Sequence, residues 1–253
     1  MNPHACPPAW EFPSAPLRAS AVTSKLIGLA AVVALASAAR AALPLGERYP
    51  LKAAALFIGI MGLSIGFLQQ HHPFARFGAA NQITTLRAIL AALAAALIGE
   101  PRLPSVAITA VTISVAVTLL DGVDGWLARR TDLASRFGAR FDMEIDALLI
   151  LALSVLAWRH DKAGVWVVAS GLLRYLFVAG GAIAPWLRAP WLRAPLPPSR
   201  RRQAVCVIQI AALTVVLLPA IEPPLSAAVA GAALVVLAWS FLIDIVWLWR
   251  QPA

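Results

Sequence analysis

Eight long runs of Leu, Ala, Val and Ile, parted by proline and arginine, leave this chain few folds to choose from. They lie at roughly 26–44, 52–68, 82–98, 104–128, 139–158, 163–184, 204–220 and 226–249. Each approaches the roughly 20 residues that carry a helix across a hydrocarbon core of about 30 Å. Lipid offers no hydrogen bonds to a free backbone, so apolar runs of this length must close their bonds within themselves, as helices. Composition agrees: 60% of the 253 residues are hydrophobic and 13% charged, against about a quarter charged in soluble domains. The fold class expected is all-α, a polytopic integral membrane protein. Pro104, the Pro185–Pro198 series and Pro223-Pro224 fall between runs, where they break helices.

Residues 1–23 are Pro-rich and read as a cytoplasmic tail. Ala36-Ser37-Ala38 imitates a signal-peptidase site, but the leader before the first run is long, which favours an uncleaved helix. The polar and aromatic stretch from His71 to Gly78 reads as a short interfacial segment. His71 and His72 are adjacent and point apart on a helix, so a metal pair is the weaker reading there. Cys6 and Cys206 have no metal-ligand spacing, and no disulfide is expected. The formal net charge is +9. The arginines lie between apolar runs, which fits anionic lipid headgroups and not nucleic acid. With the acid-rich helix ends inside, fourteen of the 21 Lys and Arg are cytoplasmic, six are outside, and Arg174 lies within a run. The positive-inside rule thus places both termini and the acids at the cytoplasmic face, in a membrane read as the bacterial inner membrane.

Those acids occupy the stretch DGVDGWLARRTDLASRFGARFDMEID, residues 121–146. A carboxylate at a membrane helix is costly, and its default reading is functional. Asp121 and Asp124 are three apart, with Gly125 and Ala128 continuing their face. Gly138, Asp142 and Asp146 are each four apart on the next helix. The short link between the two helices predicts that they pack antiparallel, with the acids at matching depth. Facing carboxylates repel unless cations neutralise them, and all-oxygen donors select Mg²⁺, Mn²⁺ or Ca²⁺ over zinc. Two such ions, about 3.5–4 Å apart, can clamp a phosphate. Arg129 and Arg130 supply cations for the same phosphate. The bland alternative, interfacial acids paired with loop arginines and small residues that merely allow packing, accounts for one acid better than for four.

At these residues the chain resembles the CDP-alcohol phosphatidyltransferase family, whose signature is D-x2-D-G-x2-A-R-x8-G-x3-D-x3-D. Asp121, Asp124, Gly125, Ala128, Arg129, Gly138, Asp142 and Asp146 fill every fixed position. Upstream, Asn81-Gln82-Ile83-Thr84-Thr85-Leu86-Arg87 looks like the N-x-I-T-x-x-R opening of the family's first core helix. The resemblance implies a six-helix core over residues 71–250, preceded by two extra spans over 24–70 to which it gives no role. It implies a homodimeric enzyme that moves a substituted phosphate from a CDP-linked lipid donor to an alcohol acceptor, releasing CMP, in phospholipid synthesis. By that likeness Asp121, Asp124, Asp142 and Asp146 hold two Mg²⁺ or Mn²⁺ ions, and Asp146 is also the general base. Asn81, Thr84, Gly125, Ala128, Arg129 and Gly138 line the nucleotide and donor site.

The remaining polar residues are less specific. Arg200, Arg201 and Arg202 end the link after Pro185 and are candidates to hold a phosphate on the acceptor, as in relatives that use glycerol 3-phosphate or inositol phosphate. Ordinary positive-inside anchoring explains them equally well. The Gly-Lys pair common in the glycerol-phosphate branch is absent, which argues against that acceptor. Arg174, mid-run, needs a partner; Asp244 and an anionic substrate are the candidates. Glu144 faces away from Asp142 and Asp146 and reads as structural, at a dimer contact. Trp158, Trp186, Trp191, Trp247 and Trp249 near run ends read as interfacial anchors. Two other functions fit the acids: a divalent-cation transporter, which predicts metal flux without a CDP donor, and a catalytically silent relative. The contiguous motif at one membrane face favours the enzyme. The acceptor alcohol is not legible in the residues.

Overall fold

The computed structural model describes residues 15–71, 79–131, 136–183 and 199–250. Among these, eight α-helices and no strand are present: α1 (Ala15–Ala42), α2 (Tyr49–His71), α3 (Ala79–Ala96), α4 (Pro104–Thr131), α5 (Arg136–Arg159), α6 (Ala169–Ile183), α7 (Arg200–Val216) and α8 (Leu225–Trp249). A single 3₁₀ turn, Val165–Val168, leads into α6. Each apolar run of the sequence falls on one of these helices. One boundary differs: α1 begins at Ala15, inside the stretch read as a tail. Pro16 near its start already has the φ a first helical turn needs, and the Ala, Leu, Arg and Lys that follow favour helix. The segment 72–78 and the link 184–198 lie outside the described residues, and with them the interfacial reading, Trp186 and Trp191.

Three of the described helices are long and apolar enough to cross a membrane by themselves, over Lys25–Ala42, Pro104–Gly122 and Leu225–Trp249. Tyr49–Gly62, Gln82–Ala96 and Val165–Gly180 are shorter apolar stretches. The interruptions are chemical: α5 carries Asp142, Glu144 and Asp146, and α7 opens on three arginines. Outward-facing apolar side chains ring the bundle, with Leu51 70%, Leu119 67% and Val235 68% exposed. A surface of that kind belongs in lipid, not water. The protein is an integral membrane protein.

α3 organises the bundle. Ala88, Ala91, Ala92, Ala94, Ala95 and Ala96 are all buried on it. Their small side chains let neighbouring backbones come close, and α3 packs broadly against α4 on one side and α5 on the other. The sequence led us to expect α4 and α5 as direct antiparallel neighbours. Among the described residues they touch only slightly, because α3 is wedged between them. A short link limits how far apart two helix ends are, but it does not prevent a slender third helix from entering above it.

The α1–α2 hairpin lies against α3. The Tyr49 hydroxyl donates to the Leu93 carbonyl at 3.1 Å. At the end remote from the acids, the buried Glu100 carboxylate accepts from the Gly46 amide at 2.6 Å and pairs with Lys52. Lys52 also donates to the Ile98 carbonyl at 3.3 Å. Gly99, at φ 88°, makes the left-handed turn that ends α3 and brings Glu100 round. On the other flank α7 and α8 pair, and α7 leans on α4 and α5. Ser114 and Thr214 share a buried hydrogen bond of 2.6 Å between α4 and α7. Lys162 holds the far end shut, donating to the carbonyls of Pro219 at 3.3 Å and Ile221 at 2.8 Å.

Candidate active site

The wedge position of α3 decides what meets the acids. Arg87, at the middle of α3, emerges between α4 and α5 with its side chain only 1% exposed. Its Nη1 lies 2.9 Å from Asp121 Oδ1 on α4 and also touches Asp142 Oδ1 on α5. Its Nη2 donates to Asp146 Oδ1 at 2.5 Å. One guanidinium therefore bridges three carboxylates from two helices. A charge this deep is sustained only by partners of opposite sign, and the three acids provide them.

The three acids come together. One oxygen from each of Asp121, Asp142 and Asp146 lies within 4.8 Å of the others. Opposite ligands of an octahedral Mg²⁺ or Mn²⁺ stand about 4.2 Å apart, twice a bond of roughly 2.1 Å. At most one pair of the trio can stand opposite, and the other pairs must close to the roughly 3.0 Å of adjacent ligands, so the three carboxylates would draw inward around an ion. The donors are all hard carboxylate oxygens, as these ions prefer. Their hydrogen bonding is also unsaturated: Asp142 Oδ1 and Arg87 Nε are buried without an aligned hydrogen bond among the described residues. Asp121 and Asp142 remain about one-third exposed, so the cluster opens to one side. The residues present fit a divalent metal site.

Cys206, on α7, closes the cluster from the fourth direction. Its thiol donates to Asp146 Oδ2 at 3.6 Å. Asp146 is thus held at both oxygens, by Arg87 from α3 and Cys206 from α7. It is the best buried of the three acids, with its side chain 17% exposed.

Of the other expected site residues, Asp124, Gly125, Ala128 and Arg129 belong to α4, and Gly138 to α5. Asp124 follows Asp121 by one turn and Gly138 precedes Asp142 by one turn. The side chains at these five positions, and that of Asn81 on α3, lie outside the described residues. Thr84 is buried at 2% exposure, one turn before Arg87 on the same face of α3.

The arginines expected near the acceptor have partners of their own. Arg174 on α6 donates to Glu144 Oε1 at 2.5 Å from the face of α5 that turns away from Asp142 and Asp146. The sequence offered Asp244 or an anionic substrate as its partner; the described partner is Glu144 instead. α6 packs directly on α5, so Glu144 is the nearer acid. Asp244 on α8 instead pairs with Arg201, and with Arg202 at 3.7 Å. Arg201 Nη1 also donates to the carbonyl and hydroxyl oxygens of Ser240, at 2.6 and 2.8 Å. Arg200 is exposed.

Arg87 and Cys206 were not among the site residues read from the sequence. Arg87 had a signal, the final position of the N-x-I-T-x-x-R opening, but counted only as one more inside-facing charge. Cys206 had none, because a lone thiol at the start of an apolar helix looks like any small core residue.

A model of the family described as CDP-alcohol phosphatidyltransferase matches residues 77–245. The match begins just before α3, so it takes in Arg87, the four aspartates and Cys206 and leaves out the α1–α2 hairpin. No curated protein and no solved structure matches the chain.

Proposed function

This chain belongs to the CDP-alcohol phosphatidyltransferase family, and on that premise we propose that it transfers a phosphatidyl group from CDP-diacylglycerol to an alcohol acceptor and releases CMP. The observation that carries this reading is the convergence of Asp121, Asp142 and Asp146 from two helices on one point at one end of the bundle. Arg87 offsets only one of the three negative charges, and the remaining surplus calls for a cation of the kind a donor pyrophosphate also needs.

In this reading Asp121, Asp124, Asp142 and Asp146 hold Mg²⁺ or Mn²⁺. Such ions, when bound, neutralise the pyrophosphate and the charge that grows on the leaving group. The acceptor oxygen bonds to the phosphatidyl phosphorus as the bond from that phosphorus to the CMP oxygen breaks. Asp146 takes the acceptor's proton as the oxygen attacks. Its two hydrogen-bond donors, Arg87 and Cys206, fix the carboxylate for that transfer. Asn81, Thr84, Gly125, Ala128, Arg129 and Gly138 contact the nucleotide and donor phosphates, the small residues leaving room for them. Of the four arginines expected at the acceptor, Arg200 takes that role, since Arg174, Arg201 and Arg202 are drawn to Glu144 and Asp244. The cluster faces the cytoplasm, with both termini inside, in a homodimer of the bacterial inner membrane. The donor's acyl chains then remain in lipid while its head group reaches the acids.

The test is to incubate purified protein with radiolabelled CDP-diacylglycerol and a panel of alcohols, following CMP and lipid product. Wild type should release CMP with at least one acceptor. Asp146→Asn should lose on the order of 10²–10⁴ of that rate while keeping the wild-type melting profile. Full turnover by Asp146→Asn removes the base assignment, and metal flux into sealed vesicles without CMP release sinks the transferase reading.

A further inference from the structure

We infer that Arg87 is a built-in counter-ion of the acid cluster: it holds the three carboxylates together when no metal is bound and competes with divalent ions for them. The inference rests on the proposed metal-binding reading of the cluster and adds to it a residue whose charge sets metal affinity.

The first argument is geometric. Asp121, Asp142 and Asp146 lie on two helices that, among the described residues, touch only slightly. The described group that contacts all three is the Arg87 guanidinium, delivered by the helix between them. Without a cation there, the acids would repel each other, and nothing described would draw the α4 acid toward the α5 pair.

The second argument is charge. The three described acids carry −3 and Arg87 +1, a surplus of −2, which equals the charge of one divalent ion. Arg87 therefore lowers the charge a metal meets without abolishing the attraction. It also contacts one oxygen of each acid, the same atoms an ion would seek. The pairing is electrostatically strong but loosely aligned. Arg87 Nε has no hydrogen-bond partner among the described residues, and neither Arg87 Nη1 nor Asp142 Oδ1 makes an aligned bond. A guanidinium with unused donors can give up an oxygen to a metal and keep hold of a neighbour.

The competition is measurable apart from turnover. Full-length protein in lipid nanodiscs is titrated with Mn²⁺, and binding is read by electron paramagnetic resonance. Melting is followed in chelator and in saturating Mn²⁺. Wild type should bind Mn²⁺. It should already be well folded in chelator, with its acids held by Arg87, and should gain only the modest rise in melting temperature that any saturating ligand gives. Arg87→Met should bind Mn²⁺ on the order of tenfold more tightly, since a full positive charge within a few ångströms is gone. It should also melt early in chelator and recover with Mn²⁺. Arg87→Lys, which keeps the charge but not the fork, should bind close to wild type and melt between the two. An Arg87→Met protein with unchanged or weaker Mn²⁺ binding overturns the inference. If Arg87→Met fails to fold even with Mn²⁺, Arg87→Lys decides: a melting temperature in chelator equal to wild type overturns the bridging role. Failure of the wild type to bind Mn²⁺ at all is a different result, and strikes the metal reading beneath it.

Discussion

Arg174 and Glu144 meet at 2.5 Å, fastening α6 to α5 on the side of α5 that does not carry Asp142 and Asp146. Arg174 is well buried and Glu144 half-exposed, so water screens part of the attraction. Removing one partner strands the other. We expect Arg174→Met to cost about 1–2 kcal/mol, less than the 3–5 of a fully buried pair, and Glu144→Gln less again. The double variant should lie closer to wild type than the two single effects combined predict. Thermal melts of the four proteins give this coupling. If the pair is structural, the acceptor KM stays constant across the series, and a KM that rises only when Arg174 is changed would return this arginine to the acceptor.

Gly171, one turn before Tyr175 on α6, is pressed against α5. A Cβ built there would stand 2.3 Å from the Leu151 Cα, closer than atoms approach, and the obstacle is backbone. Gly171→Ala must push α6 outward. The expected cost is about 1–3 kcal/mol, as for other overpacked sites, read as a lowered melting temperature. Gly171→Leu should be worse. An unshifted melt for Gly171→Ala would mean that the two helices are not in contact at this point.

Glu100 joins three pieces of chain at the far end of the bundle: the α1–α2 turn through Gly46, α2 through Lys52, and the close of α3. Glu100→Gln keeps the shape but takes away the charge that both partners use. We expect about 1–3 kcal/mol of lost stability. Faster amide exchange should appear first in residues 43–48. Uniform exchange across the protein would instead show that the hairpin is held by apolar packing alone.

Metal dependence should be selective. Chelation should abolish CMP release, and Mg²⁺ or Mn²⁺ should restore it. Zn²⁺ should restore little, because the described cluster offers carboxylate oxygens and not the nitrogen or thiolate set that zinc favours. Activity that survives exhaustive chelation would leave the acids without the role assigned to them.

The acid positions were legible because helical periodicity turns spacing into direction: four-residue steps put Asp142 and Asp146 on one face whatever else the fold does. The wedge of α3 was not. Nothing local distinguishes an alanine-rich helix that lines the bundle from one that separates two others, and only the packing reveals that Arg87 stands between the acids. Arg174 shows a different limit. The sequence demanded a partner for it and pointed to Asp244 or an anionic substrate, whereas the nearer acid, Glu144, is set by helix order in three dimensions. Cys206 was invisible for a simpler reason, since its part at Asp146 comes entirely from where α7 happens to lean.

The Tyr49 bond to Leu93 falls on the same short helix as Arg87, six residues or about 9 Å along its axis. α3 behaves as a rod, and turning it by one residue's arc of about 100° would swing the guanidinium clear of the aspartates. A hairpin that the family match leaves out therefore adds a tie that resists that rotation, and its loss would be felt less than two turns away, where Arg87 meets the aspartates.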